Sequence, residues 1–176
     1  MPNIDLVSED EARAIILQWG ILHDRQAGLS WFLPIIASDA FYMRFGETSW
    51  IGYADFERHQ IVKRKFFDEL HSYSTILVSV QRPATTAKTV MLWTYRHRPE
   101  GSPTSELLKA RLEHTWEFRR CPSTGRPYMQ GHVVDRFEYL DGFRPLADPS
   151  TPRSDDPHLD PRWPTIGAPA GAPGDD

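Results

Sequence analysis

The stretch from Leu107 to Phe143 constrains the fold more than any other, because its alternation admits one backbone period. Leu108, Ala110, Leu112, His114, Trp116 and Phe118 fall on one face, and Lys109, Arg111, Glu113, Thr115, Glu117 and Arg119 on the other. Two-residue periodicity of this kind is a strand with one buried face. Cys121-Pro122-Ser123-Thr124-Gly125-Arg126-Pro127 supplies the Pro and Gly of a chain reversal, and Tyr128–Tyr139 then runs rich in aromatic and β-branched residues up to Asp141-Gly142. Strands this long exceed the usual length of about five or six residues and predict a sheet curved around its contents. His114 is a titratable group in the middle of the apolar face.

The segments before the hairpin complete the class. Ser8-Glu9-Asp10-Glu11 fits a capping box, and Ala12, Ile15, Ile16, Trp19, Leu22 and His23 follow at helical spacing, predicting a helix from Glu9 to Gln26. Asp24 lies one position round from His23. A short second helical segment is expected over Leu29–Ile36, limited by Pro34. Phe41–Phe45 alternates as a strand ending at Gly46. A third helix is expected over Tyr53–Leu70, with Lys63 as a blemish in its apolar stripe. Tyr73–Gln81 and Thr89–His97 read as two more strands, turning at Pro83-Ala84-Thr85-Thr86. Helices ahead of a mostly antiparallel sheet make an α+β fold.

The chain has 176 residues and a formal net charge of -4. Residues 145–176 carry six acids, two bases and eight prolines, which leaves 18 bases and 18 acids in residues 1–144. A neutral body gives no electrostatic case for nucleic acid or an anionic membrane as partner. The expected organisation is therefore one domain over residues 1–144 and a Pro-rich acidic tail over 145–176, disordered or laid extended on a neighbour, with Trp163 as its one anchor. The single cysteine, Cys121, excludes an internal disulfide. No apolar run reaches a membrane span and Met1-Pro2-Asn3-Ile4-Asp5 lacks a signal-peptide pattern, so the expected location is cytoplasmic. The seven histidines show no metal-ligand spacing, and no Gly-rich phosphate loop, G-x-G-x-x-G or G-x-S-x-G occurs. No metal and no cofactor is expected.

The order of elements, with a last strand ending Val134-Asp135-Arg136-Phe137-Glu138-Tyr139-Leu140-Asp141-Gly142, resembles the nuclear transport factor 2-like (SnoaL-like) superfamily. The resemblance covers about residues 8–144. It implies a cone, a cystatin-like α+β barrel in which a curled sheet packs on three N-terminal helices and encloses one apolar pocket. It also implies homodimerisation through the outer face of the sheet. Trp19-Gly20-Ile21-Leu22-His23-Asp24 is similar in spacing to the Trp-x-x-x-Tyr-Asp of the scytalone dehydratase branch, whose Tyr and Asp face the pocket. His23 departs from the Tyr. His71 stands where that branch has a pocket histidine opening the strand after the third helix, and His97 or His114 matches its second histidine. Val133 falls near the branch's pocket Asn, a mismatch that argues for a different substrate. SnoaL-type cyclases use a last-strand acid instead, a role open to Asp135.

A carboxylate beside an imidazole in an apolar pocket is what proton abstraction next to a carbonyl, or loss of water, requires. The expected catalytic pair is Asp24 and His114, with His23, His71 or Asp135 as the polar third. The expected walls are Trp19, Phe41, Trp93, Tyr95 and Trp116. On a regular last strand either Asp135 or His132 faces inward, and only a bulge changes that parity. The implied activity is cofactor-independent dehydration, isomerisation, cyclisation or epoxide opening of an apolar or aromatic small molecule. The alternative is a non-catalytic binding or assembly module, such as a partner subunit like the dioxygenase β subunits.

Overall fold

A computed structural model describes residues 6–38, 40–143 and 145. The expected tail, 145–176, thus lies outside the described residues save for Pro145.

Helix α1 spans Glu9–Asp24. Its capping box is formed: the Glu11 amide donates to Ser8 Oγ at 3.3 Å, and the Ser8 amide donates to Glu11 Oε2 at 2.8 Å. The helix stops two residues short of the expected end, where Arg25 caps it and Gln26 takes a positive φ of 49°. The short α2, Leu29–Phe32, ends before Pro34, which has no amide hydrogen to extend it.

Strand β1 (Tyr42–Phe45) turns at Gly46, φ 56°, into β2 (Thr48–Ile51), a four-residue strand too short to announce itself in the sequence. Helix α3 spans Gly52–Lys63 and is shorter than expected. Phe66 and Leu70 continue its helical spacing by coincidence: they belong to strand β3, Phe66–Gln81, where Phe66 is buried and Leu70 is 54% exposed. Pairing of Phe66 with His97 on the next strand overrides the local periodicity. Strands β4 (Ala84–His97), β5 (Glu106–Arg120) and β6 (Pro127–Tyr139) follow as successive antiparallel partners.

The six strands form one sheet in the order β2-β1-β6-β5-β4-β3, antiparallel throughout except for the parallel β1–β6 pair. This is the expected α+β architecture, a long curled sheet packed on helices. The expected inward face of β5 is buried at every position from Leu108 to Phe118. One core lies between the helices and the sheet around Trp19, Phe32, Phe41, Phe56 and Trp116, and a second lies beyond it around Phe66, Trp93, Tyr95 and Leu108.

Strand β6 breaks the parity rule twice. Glu117 pairs with Gly131 but Phe118 with Met129, and Glu113 pairs with Arg136 but His114 with Val134. Gln130 and Asp135 are the extra residues of two bulges. Met129, His132, Val134, Phe137 and Tyr139 consequently turn inward although no single alternation joins them. Asp135 is exposed and accepts a hydrogen bond from Thr115 Oγ1 at 2.7 Å. Among the described residues no helix is long and apolar enough to cross a membrane.

Candidate active site

A cavity of about 100 Å³ lies where the two cores meet. Its apolar walls include Trp19, Met43, Trp50, Met91, Trp93, Leu112, Trp116 and Phe137, and its polar lining is His23, Arg44, His59, Lys63, His71, Tyr73, His114 and His132.

The close packing of α1 on β3 sets one end of this cavity. A Cβ at Gly20 would lie 3.1 Å from the Tyr73 ring and 3.2 Å from His71 Cβ, so the missing side chain lets the helix approach the strand. The C-terminal turn of α1 therefore reaches β3. Asp24 Oδ1 accepts the His71 backbone amide at 2.9 Å and lies 2.5 Å from His71 Nδ1. The expected carboxylate–imidazole pair exists, but the partner of Asp24 is His71 and not His114. His71 sits within β3, the strand after α3, with its side chain 7% exposed. Burial holds its pKa below the ordinary 6.5 despite the Asp24 bond, which pulls the other way. Near neutral pH the ring is unprotonated at Nε2, its Nδ1–H is committed to Asp24, and Nε2 is a base.

His23, one residue earlier on α1, has the opposite polarity. Lys63 Nζ lies 3.0 Å from His23 Nδ1, 2.6 Å from Glu69 Oε2 and 5.2 Å over the Trp93 ring. Glu69 Oε2 also accepts from Trp93 Nε1 at 3.0 Å. The ammonium has no lone pair, so it donates and His23 Nδ1 accepts, which places the His23 proton on Nε2. Burial first, then the Lys63 charge, holds the pKa of His23 well below 6.5 and keeps the ring neutral. The His23 and His71 ring centroids are 5.6 Å apart. A ligand beside them meets a base, His71 Nε2, and a neutral N–H donor, His23 Nε2. Burial raises the pKa of Tyr73, so its phenol is a third, protonated group.

His114 and His132 form the other polar patch. His132 stacks on Trp116 with centroids 4.7 Å apart and meets Trp19 edge-on at 5.2 Å, and His114 lies 5.6 Å from His132. Burial pushes the His114 pKa down to about 3 and holds that of His132 well below 6.5.

Of the expected walls, Trp19, Trp93 and Trp116 line the cavity. Phe41 is instead core against Trp19 and Phe56, and Tyr95 is buried with its hydroxyl 2.9 Å from that of Tyr139. Asp135 faces away, and His97 packs on Phe66 outside the lining. The residues that sequence reasoning passed over are Lys63 and Glu69. Lys63 carried a signal, a cation in an apolar helical stripe, whereas Glu69 carried none because its position was assigned to a helix. Among the described residues no group of three or more His, Cys, Asp or Glu side chains is placed to hold a metal ion.

No family model matches this sequence, and no curated protein matches it. Solved structures do resemble it. A nuclear transport factor 2-like superfamily protein from Salmonella enterica superposes with a TM-score of 0.58 at 12% identity, over 74% of this chain and 89% of that one. A cystatin-like fold protein of unknown function from Nostoc punctiforme gives 0.55 at 14% identity, over 81% and 99%. A ketosteroid isomerase-like protein from Erwinia carotovora gives 0.54 at 11% identity, over 76% and 98%. At such identities the likeness concerns backbone alone, and it agrees with the curled sheet and the helices already described: the chain has the cystatin-like α+β fold of the nuclear transport factor 2-like proteins.

Proposed function

We propose that this chain is a cofactor-independent acid–base enzyme acting on an apolar or aromatic small molecule, in the dehydratase, isomerase, cyclase or epoxide hydrolase range of the SnoaL-like and scytalone dehydratase proteins. The observation that carries the reading is the opposed pair of imidazoles, His71 made a base by Asp24 and His23 made a donor by Lys63, side by side in an aromatic-walled cavity. Proton removal at one atom and proton donation at a neighbouring one is the step these reactions share. Asp24 orients His71 and stabilises its imidazolium as the proton arrives, and the surrounding tryptophans exclude water. A homodimer, a cytoplasmic location and a single domain over 1–144 belong to the same proposal. The exposed Leu70 and Leu77 on the outer face of β3 support the dimer.

Kemp elimination of 5-nitrobenzisoxazole tests for the base directly. The base takes the ring C–H proton, the N–O bond breaks, and a coloured cyanonitrophenolate forms without any cofactor. We expect acceleration over buffer that falls about 100-fold or more in His71→Ala, in line with loss of a general base, and falls less in Asp24→Asn. The acid limb of the wild-type profile should lie below pH 6.5, where burial places His71. Turnover unchanged in His71→Ala would overturn the assignment. Binding without turnover would favour the non-catalytic module.

A further inference from the structure

His114 and His132 have no part in the His71–His23 chemistry, yet both are almost wholly enclosed, at 5% and 7% exposure. Nδ1 of each ring is buried and has no hydrogen-bond partner. A proton there would bury an N–H with nothing to accept it, which costs more than an unused lone pair. Each ring therefore carries its proton on Nε2, the nitrogen left to face the cavity both rings line. Among the described residues neither Nε2 has a protein acceptor. The rings project from neighbouring strands, β5 and β6, with centroids 5.6 Å apart, and Trp19 and Trp116 fix the plane of His132. Two neutral N–H donors thus stand side by side on neighbouring strands of the cavity wall, flanked by tryptophans.

We propose that His114 and His132 form a subsite for the carbonyl oxygen of a flat aromatic ketone or enone. One oxygen with two lone pairs accepts both N–H groups, and the tryptophans enclose the ring system. A hydroxyl is a poorer match, because its own proton finds no acceptor between two donors. A carboxylate is poorer still at this pair, because two neutral rings leave its charge uncompensated, and of the cations that line the cavity Lys63 is already paired with Glu69 and Arg44 is exposed to solvent. The burial that keeps both rings uncharged maintains this preference through the neutral range. The inference rests on the cavity being the ligand site of the proposed function, and it does not require His71 to be catalytic.

The probes are 2-acetylnaphthalene, its carbonyl-free analogue 2-ethylnaphthalene, and 2-naphthoate, with affinities measured calorimetrically and the ketone C=O stretch read by infrared difference spectroscopy. The ketone should bind more tightly than the other two. Its preference over 2-ethylnaphthalene should fall roughly tenfold in His114→Phe and again in His132→Phe, the scale of one hydrogen bond each. The bound C=O band of the wild type should lie below that of the ketone in hexane, a readout needing no variant. Equal affinity for ketone and hydrocarbon, tighter binding of 2-naphthoate, or a band at the hexane position would overturn the proposal. His71→Ala separates the two readings: it should abolish Kemp elimination and leave the ketone preference intact, whereas loss of preference with catalysis retained in the wild type defeats the subsite alone.

Discussion

At the scale of single residues, Lys63 holds the site together. Its side chain is 9% exposed and that of Glu69 is 2% exposed, so the two charges compensate each other almost out of water. Replacing Lys63 by Met leaves Glu69 buried and unpaired, which should cost about 3–5 kcal/mol in chemical denaturation. The double change Lys63→Met with Glu69→Leu should recover most of that loss, since an apolar pair suits an apolar site. It should not recover turnover, because His23 has then lost the donor that fixed its tautomer. His114 gives a pH prediction. Its pKa of about 3 in the folded chain lies below the ordinary 6.5, so between those values the unfolded chain binds a proton that the folded chain refuses. Stability therefore falls as pH drops from 6.5 towards 3, by about 1.4 kcal/mol per unit for each such group. Thermal melts from pH 6.5 to 4 should show a shallower decline in His114→Phe than in the wild type, and an unchanged slope would contradict the burial argument. His23 and His132 push the same way in both proteins. The histidine on the buried face of β5 was legible because alternation fixes which way a strand residue points. Its separation from Asp24 was not, because that depends on where α1 crosses β3, and contact between distant elements leaves no local periodicity.

Among the elements, β1 and β6 pair in parallel where the other described strand pairs run antiparallel, and Gly131 makes the pairing possible. A Cβ at Gly131 would overlap both the Tyr42 carbonyl oxygen and the Tyr42 ring. Tyr42 lies across the glycine with its hydroxyl 3.3 Å from Glu117 Oε2. Gly131→Ala must therefore push β1 away from β6, where a flexible side chain could otherwise have yielded. A loss at the upper end of the usual overpacking range, about 3 kcal/mol, should appear in urea titration. Gly131 was legible as a residue in a strand but not as a point of contact, since β1 and β6 lie far apart in the sequence. The α3–β3 boundary was misplaced for a related reason. Phe66 and Leu70 satisfy a helical spacing, and only the β4 partner, absent from any local window, decides for strand. The strands and turn of the long β5–β6 hairpin were legible because its partners are adjacent in sequence and its turn is written in Pro and Gly, but the two bulges that set the facing of β6 were not.

For the whole molecule, the sheet, α1 and α3 close the cavity using residues from Val7 to Tyr139. The composition of 145–176, rich in Pro and Asp, offers little apolar surface for burial. A chain ended after Pro145 should keep its unfolding free energy within the spread of surface substitutions, about 0.5 kcal/mol, in urea titration. Sedimentation equilibrium on the same shortened chain should report the proposed dimer. A drop in stability, or a monomer, would give the tail a structural part that its sequence does not suggest. The two bulges of β6 bear on how such a molecule can change. Because each extra residue resets the facing of the strand, residues 131–134 behave as a cassette whose orientation is uncoupled from the strand on either side. His132 can be exchanged for another side chain while Met129 continues to seal one core and Tyr139 the other. The fold can thus rewrite the polar wall of its cavity without renegotiating its closure.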